Sequence, residues 1–250
     1  MIYILISALA PVIVLLYFVY RKDELQKEPV KEILKAVGLG VLSVFASFLI
    51  SGPLGALGFY TDYPGTLWDA VAISFFGAAI PEEIAKFVLL WLFVRKNKWF
   101  DEHMDGIVYA AAVSLGFAAF ENIGYLMSSE DWVSTGIMRA LFSVPGHMFF
   151  GILMGYYYSL VRFDPTASGM TKFWVLGAPI IAHGIYDSIL FSMDTLPEAL
   201  SLALMVIFIF FCNSLRKHAS RRIKLHVQQD KAVQETVAVV SENNDIQQEQ

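Results

Sequence analysis

The chain has 250 residues, 56% of them hydrophobic and only 16% charged, with a mean hydropathy of +0.56. Soluble domains carry about 25% charged residues, so this composition excludes an ordinary soluble fold and predicts an all-α, polytopic membrane bundle. The net charge of -5 argues against nucleic acid as a partner, and a lone cysteine, Cys212, excludes an intrachain disulfide.

A membrane helix needs roughly 20 mainly apolar residues. Seven stretches qualify, at about 2–20, 36–58, 70–94, 105–127, 139–161, 172–192 and 196–214. The first contains "SALA", which looks like a signal-peptide cleavage site. It lacks a basic start, however, and stays apolar to Tyr20, so it is expected to be a retained anchor. The link "RKDELQKEPV" that follows is expected to form a short interfacial helix that Pro29 ends or restarts.

Lys and Arg set the direction. If seven spans alternate, sixteen of the 18 basic residues fall on one side, and the loops 59–69, 128–138 and 193–195 contain none. The exceptions are Lys86, inside span three, and Arg139, at the outer edge of span five. The N-terminus is therefore expected outside and the C-terminus in the cytoplasm. Residues 1–214 form the membrane domain in this reading. Residues 215–227 form a basic juxtamembrane stretch that can lie on anionic lipid, and the Gln/Asn/Glu/Val-rich remainder to 250 is expected to be disordered.

Ionisable groups inside spans cost about 3 kcal/mol each by insertion scales, so each carries a functional expectation, with helix-gluing as the plain alternative. Span three holds Glu82, Glu83 and Lys86 in "PEEIAK". Span four holds Glu121, Asn122 and Tyr125 in "FENIGY". Span five holds His147 in "HMFFG", and span six holds His183, Tyr186 and Asp187 in "HGIYD". Glu82 and Lys86 share a helix face at a spacing of four, as do His183 and Asp187. At a rise of ~1.5 Å per residue, the paired glutamates lie about mid-membrane, and Glu121, His147 and His183 lie ~9–14 Å from the outer ends of their spans. Four helices thus place acids and imidazoles at similar depth.

Pro81 precedes Glu82, and Pro145 lies two before His147. Each removes an amide donor, which at membrane depth requires protein or cavity water to satisfy the backbone. The small residues around both sites read most simply as close helix packing. Carboxylates and imidazoles in a dry site suit activation of water, with Lys86 holding one acid ionised, and histidines suit an oxyanion. The same groups can hold a metal, although H-E-x-x-H is absent.

The four motifs "PEEIAK", "FENIGY", "HMFFG" and "HGIYD", in this order, resemble those of the PrsW family of intramembrane proteases, and "DELQKEP" resembles that family's early cytoplasmic segment. That family is similar in turn to the CAAX prenyl endopeptidase and bacteriocin-immunity group. The resemblance implies a multi-pass protein of the cell membrane that cleaves a single-span, membrane-anchored substrate such as an anti-sigma factor near the extracytoplasmic face. It implies Glu82 as the water-activating acid with His147 and His183, and Glu83 with Lys86 as an ion pair. Asp187 would orient His183, and Glu121 would belong to the site. It leaves open whether the cofactor is none or a divalent metal such as zinc, which would draw on Glu82, Glu121, His147 and His183.

Other residues carry plainer expectations. Asn122 bonds across helices, Tyr125 and Tyr186 pack with satisfied hydroxyls, and Tyr156, Tyr157 and Tyr158 anchor at the interface. His103, His218 and His226 are solvated. Two other function classes compete. A proton-coupled transporter would also use buried Glu, Lys and His, but no two-fold repeat is present. A non-catalytic membrane scaffold would keep the fold, yet every ionisable position of the set is filled.

Overall fold

The computed structural model describes residues 1–248, with side chains to residue 241. Its described residues form helices and connecting turns, without strands. Helices α1 (Ile2–Tyr20) and α2 (Val30–Ala56) are followed by α3 (Leu67–Ala72), a wide π-type stretch (Ile73–Ala79) and α4 (Ile80–Val94). Then come α5 (His103–Ser128), α6 (Trp132–Met138), a second π-type stretch (Arg139–Ser143), α7 (Val144–Phe163), α8 (Gly169–Met193) and α9 (Glu198–Gln248).

Six helices among the described residues are long and apolar enough to cross a membrane: Ile2–Tyr20, Val30–Ala56, His103–Ser128, Trp132–Phe163, Gly169–Met193 and Glu198–Ser241. The third predicted span lies in the continuous helical path 67–94, which contains the π stretch and which the charges of Glu82, Glu83 and Lys86 make less apolar. Its 28 residues reach about 42 Å, more than the ~30 Å hydrocarbon layer. Large apolar side chains point outward along the bundle, among them Ile13, Val14, Phe45, Leu49, Ile207 and Phe210. Water would penalise such a surface, whereas lipid accepts it.

α5 is the hub, buried on nearly every side against α1, α2, α4 and α7. Two glycine contacts explain how neighbours come so close. A Cβ added at Gly116 would lie 2.1 Å from the carbonyl oxygen of Val37 on α2, and one at Gly155 of α7 would lie 2.1 Å from that of Gly106 on α5. Only glycine permits these approaches, which is the packing role expected of small residues in membranes.

Both predicted helix-opening prolines sit directly after a π stretch. The amide of Ile80 donates to the carbonyl of Phe75, and that of Val144 to Arg139, each five residues back. Pro81 and Pro145 then supply no amide at all. The helix widens instead of breaking, and in both cases the widened turn leads directly into site residues.

Four expectations need correction at the end of the bundle where the α1–α2 link, the start of α5 and the far part of α9 meet. The link between α1 and α2 is irregular, not helical. It is tied by Asp23, which accepts from the Glu28 amide at 3.4 Å, and by Glu28, which accepts from the Tyr109 hydroxyl. Where the sequence reads disorder over residues 228–250, α9 continues as helix to Gln248, with Ile223, His226 and Asp230 buried against the bundle, and residues 249 and 250 lie outside the described residues. His103 and His226 are accordingly not solvated. His103 Nδ1 lies 2.7 Å from Asp230, and His226 Nε2 lies 3.1 Å from the Tyr156 carbonyl oxygen. Tyr156 is buried under His226, with ring centroids 4.4 Å apart, and does not act as a lipid-interface anchor.

Candidate active site

Glu82 and Glu83 occupy the first turn of α4, immediately after Pro81, and Lys86 follows one turn later. Lys86 and Glu83 are both fully buried, at 0% exposure. The Lys86 ammonium donates to Glu83 Oε1 at 2.8 Å and to Glu82 Oε2 at 3.2 Å, and lies 4.0 Å from the centroid of the Phe117 ring. Its remaining contact reaches α7, where His147 Nδ1 is 3.2 Å away.

α8 brings His183 to the same place. It can do so because Gly184 lies directly against the first π stretch, where an added Cβ would meet the Phe75 ring at 2.3 Å. His183 Nδ1 is 2.9 Å from Glu83 Oε1, and its Nε2 is 3.1 Å from Asp187 Oδ2 and 4.0 Å from Glu82 Oε2. Phe150 stacks on the His183 imidazole at 4.7 Å between centroids, fixing the ring plane.

A second group meets from α5 and the π stretch before α7. His147 Nε2 lies 2.9 Å from Glu121 Oε2. Arg139 donates to both Glu121 and Asn122, and its guanidinium lies 4.1 Å over the exposed ring of Tyr125. Asn122 also bonds across helices, donating to the Ala8 carbonyl at 3.1 Å. The Tyr186 ring packs edge-on against Phe150 and Phe208.

These groups surround a cavity of about 190 Å³, lined by Glu82, Glu121, Arg139, His147, His183 and Asp187 among others. Glu83 and Lys86 lie behind this wall and do not line it. The adjacent glutamates therefore differ in access: Glu82 is partly open to the cavity, and Glu83 is sealed. Four carboxylates share the site with two permanent cations, so it can accommodate further positive charge.

The residues singled out in the sequence are thus brought together: Glu82, Glu83, Lys86, Glu121, Asn122, Tyr125, His147, His183 and Asp187 lie in or around one site. Arg139 was missed as a site residue. Its signal was present, since Arg139 and Lys86 are the two basic residues outside the one-sided charge pattern, and both are wired into this site.

Glu82, Glu83 and His183 each offer a ligand atom within 4.8 Å of the others. Glu83 Oε2 is buried without a hydrogen-bond partner among the described residues, leaving a free acceptor in a sealed carboxylate. This trio fits a divalent ion with three protein ligands and an open position. It differs from the set Glu82, Glu121, His147 and His183 expected for a metal, since the close spacing holds for Glu82, Glu83 and His183.

Over residues 28–213 the chain matches the family described as "PrsW family intramembrane metalloprotease". The chain belongs to the PrsW family. Protease PrsW of Geobacillus kaustophilus is 38% identical over 191 residues, covering 76% of this chain and 81% of the relative. Protease PrsW of Bacillus subtilis is 35% identical over 194 residues, covering 76% and 84%. That of Oceanobacillus iheyensis is 31% identical over 218 residues, covering 87% and 96%. No solved structure matches the chain. As a PrsW-family member it is a multi-pass membrane peptidase, and the matched segment contains every residue of the site just described.

Proposed function

We propose that this protease hydrolyses a peptide bond of a single-span membrane protein, an anti-sigma factor being the leading candidate, with Glu82 as the water-activating base. The N-terminus lies outside in this reading, on the one-sided Lys/Arg distribution, so cleavage takes place toward the extracytoplasmic face. The observation that carries the assignment is the difference in access between adjacent glutamates: Glu82 lines the cavity, and Glu83 is locked behind it by Lys86 and His183.

Glu82 Oε2 is turned toward Lys86, and among the described residues Oε1 has no hydrogen-bond partner, leaving it for water. Glu82 takes the water proton as the oxygen attacks the scissile carbonyl carbon, then returns it to the departing amine. His147 and His183 stand at the cavity wall, and to donate to the developing oxyanion a ring N–H turns away from its carboxylate partner, Glu121 for His147 and Asp187 for His183. Asp187 holds His183 from one side and Glu83 from the other, while Phe150 fixes its plane. The residues that would hold a divalent ion are Glu82, Glu83 and His183; a bound ion there supplies Lewis acidity and lowers the pKa of water.

The test is co-expression with a tagged single-span anti-sigma factor, comparing wild type with Glu82→Gln and His183→Ala at equal protein level. A truncated substrate is expected with wild type alone. Cleavage by Glu82→Gln at the wild-type rate would remove Glu82 from its assigned role. Cleavage of other tagged single-span proteins but not the anti-sigma factor would overturn the substrate class and leave the site intact.

A further inference from the structure

A groove between α1, α7 and α9 lies apart from the catalytic cavity. Its inner part is a cavity of about 430 Å³ walled by apolar side chains, including Phe18 of α1, Phe142, and Pro145, Met148 and Phe149 of α7. It shares Phe18, Arg216 and Ser220 with a second cavity of about 550 Å³, bordered by Lys22, Lys224, Lys231 and Glu24. Lys231 is paired with Glu24 at 2.7 Å. Among the described residues, Lys22, Arg216 and Lys224 have no carboxylate within ion-pair distance. Arg216 donates to the Asn213 side chain at 2.9 Å, and Lys22 lies 5.5 Å from the centroid of the Phe18 ring.

An apolar trough that ends in three uncompensated cations matches a ligand with a hydrocarbon body and an anionic head. We propose that this groove binds one anionic phospholipid, its phosphate among Lys22, Arg216 and Lys224 and an acyl chain along Phe142, Pro145 and Phe149. Basic pockets between membrane helices on the cytoplasmic side bind such headgroups. Placement in the cytoplasmic leaflet rests on the orientation proposed above; the lipid class does not. An inorganic anion would have no use for the apolar part, and a zwitterionic lipid would leave the cations uncompensated. The chain packs against Pro145, on the helix that presents His147 two residues later. The bound lipid therefore backs the widened turn that positions this imidazole.

The test uses the full chain purified in detergent and equilibrated with equal amounts of phosphatidylglycerol and phosphatidylcholine of the same chain length. Native mass spectrometry counts the retained lipid. One phosphatidylglycerol is expected, retained about five-fold or more over phosphatidylcholine, since a single basic residue near the headgroup is worth roughly that factor. The R216Q/K224Q double variant should bring the ratio near one. K96Q, on the same basic side but away from the groove, should leave it unchanged. Arg216 and Lys224 are exposed, and either single variant, reducing the ratio in part, serves if the double variant does not purify. Equal retention of both lipids by wild type, or an unchanged preference in the double variant, overturns the proposal. Displacement of the lipid by sn-glycerol 3-phosphate would reduce the groove to an anion site, and a second copy of the chain in its place would make it a dimer contact. Either result also overturns the proposal. Peptidase activity is not read, so the outcome is independent of the assignment of Glu82.

Discussion

The ammonium of Lys86 and the Nδ1 atom of His147 meet at 3.2 Å, joining α4 to α7 through the centre of the bundle. An ammonium can only donate, so Nδ1 accepts and the ring hydrogen of a neutral His147 sits on Nε2. That hydrogen points at Glu121 Oε2, 2.9 Å away. A single buried lysine thereby sets the tautomer of one imidazole and bridges two glutamates. Through Glu83 it also reaches the second imidazole, His183.

Removing Lys86 should accordingly cost stability before it costs chemistry. Lys86→Met leaves Glu83 as a sealed carboxylate without its cation, a loss of about 3–5 kcal/mol for a broken buried pair. Adding Glu83→Gln removes the stranded charge, so the double variant should regain most of that loss. The check is a thermal-unfolding cycle in detergent over the two single variants and the double. Additive losses would show that the 2.8 Å contact between Lys86 and Glu83 carries no coupling.

Arg139 tests the part of the site that the sequence hid. Its fork reaches Glu121 and Asn122 together, which a lysine point charge does not do. Arg139→Gln should slow cleavage about 10–100-fold by letting Glu121 and His147 drift from position, with a smaller stability loss than Lys86→Met. Arg139→Lys should recover only part of the rate. Full recovery with lysine would mean that charge alone matters and that the two-point contact does not.

The contrast between Lys86 and Arg139 shows what was legible. A bilayer forces long apolar runs, so the helical class could be read directly from composition. Buried charges are costly there, so "PEEIAK" and its partners on three other helices stood out as one site. Arg139 stood at the edge of a predicted span, where a basic residue is cheap and attracts no attention. The widened turns were hidden because a few residues of hydrophobic pattern cannot separate a period of 3.6 from a wider one. Pro81 and Pro145 marked their places but not their form. The tail misled for a different reason. Its local composition resembles a solvated segment, while its buried residues, His226 and Asp230, are held by partners 70 and 127 positions away.

The interlock of the α1–α2 link with α5 should be sensitive to pH. Burial is the main reason that the Glu28 carboxyl is pushed up to about 7, against the opposing hydrogen bond from Tyr109. Asp23 rises to about 6 and Glu102 to about 7, burial again being the largest cause. An acid whose folded pKa is raised holds its proton more tightly in the folded state. Its contribution is therefore present at low pH and lost as pH rises from the unfolded value near 4.5 through about 7. Thermal stability in detergent should fall between pH 5 and pH 8, by an amount on the order of 1–3 kcal/mol for Glu28. Glu28→Gln should flatten that slope and raise the midpoint at pH 8. A variant with the wild-type slope would exclude Glu28 as its source.

Asp230 offers the last test, because it caps a helix that it does not belong to. Its Oδ1 accepts from the His103 amide at 2.9 Å and its Oδ2 from the Met104 amide at 2.9 Å, at the start of α5. The first amides of a helix lack partners within it, and a carboxylate there also meets the positive end of the helix dipole. Asp230→Ala should cost about 1–2 kcal/mol, as loss of a good cap does. It should also release the segment of α9 beyond His226, which the contact holds against the hub. Hydrogen exchange should then rise at residues 226–234 and at the first turn of α5 together, with the helices around Glu82 and His183 unaffected. Asp230→Asn keeps an acceptor and should fall between the two. Faster exchange in α9 with none at α5 would show that the cap is dispensable to the hub helix and that Asp230 serves only to dock the tail.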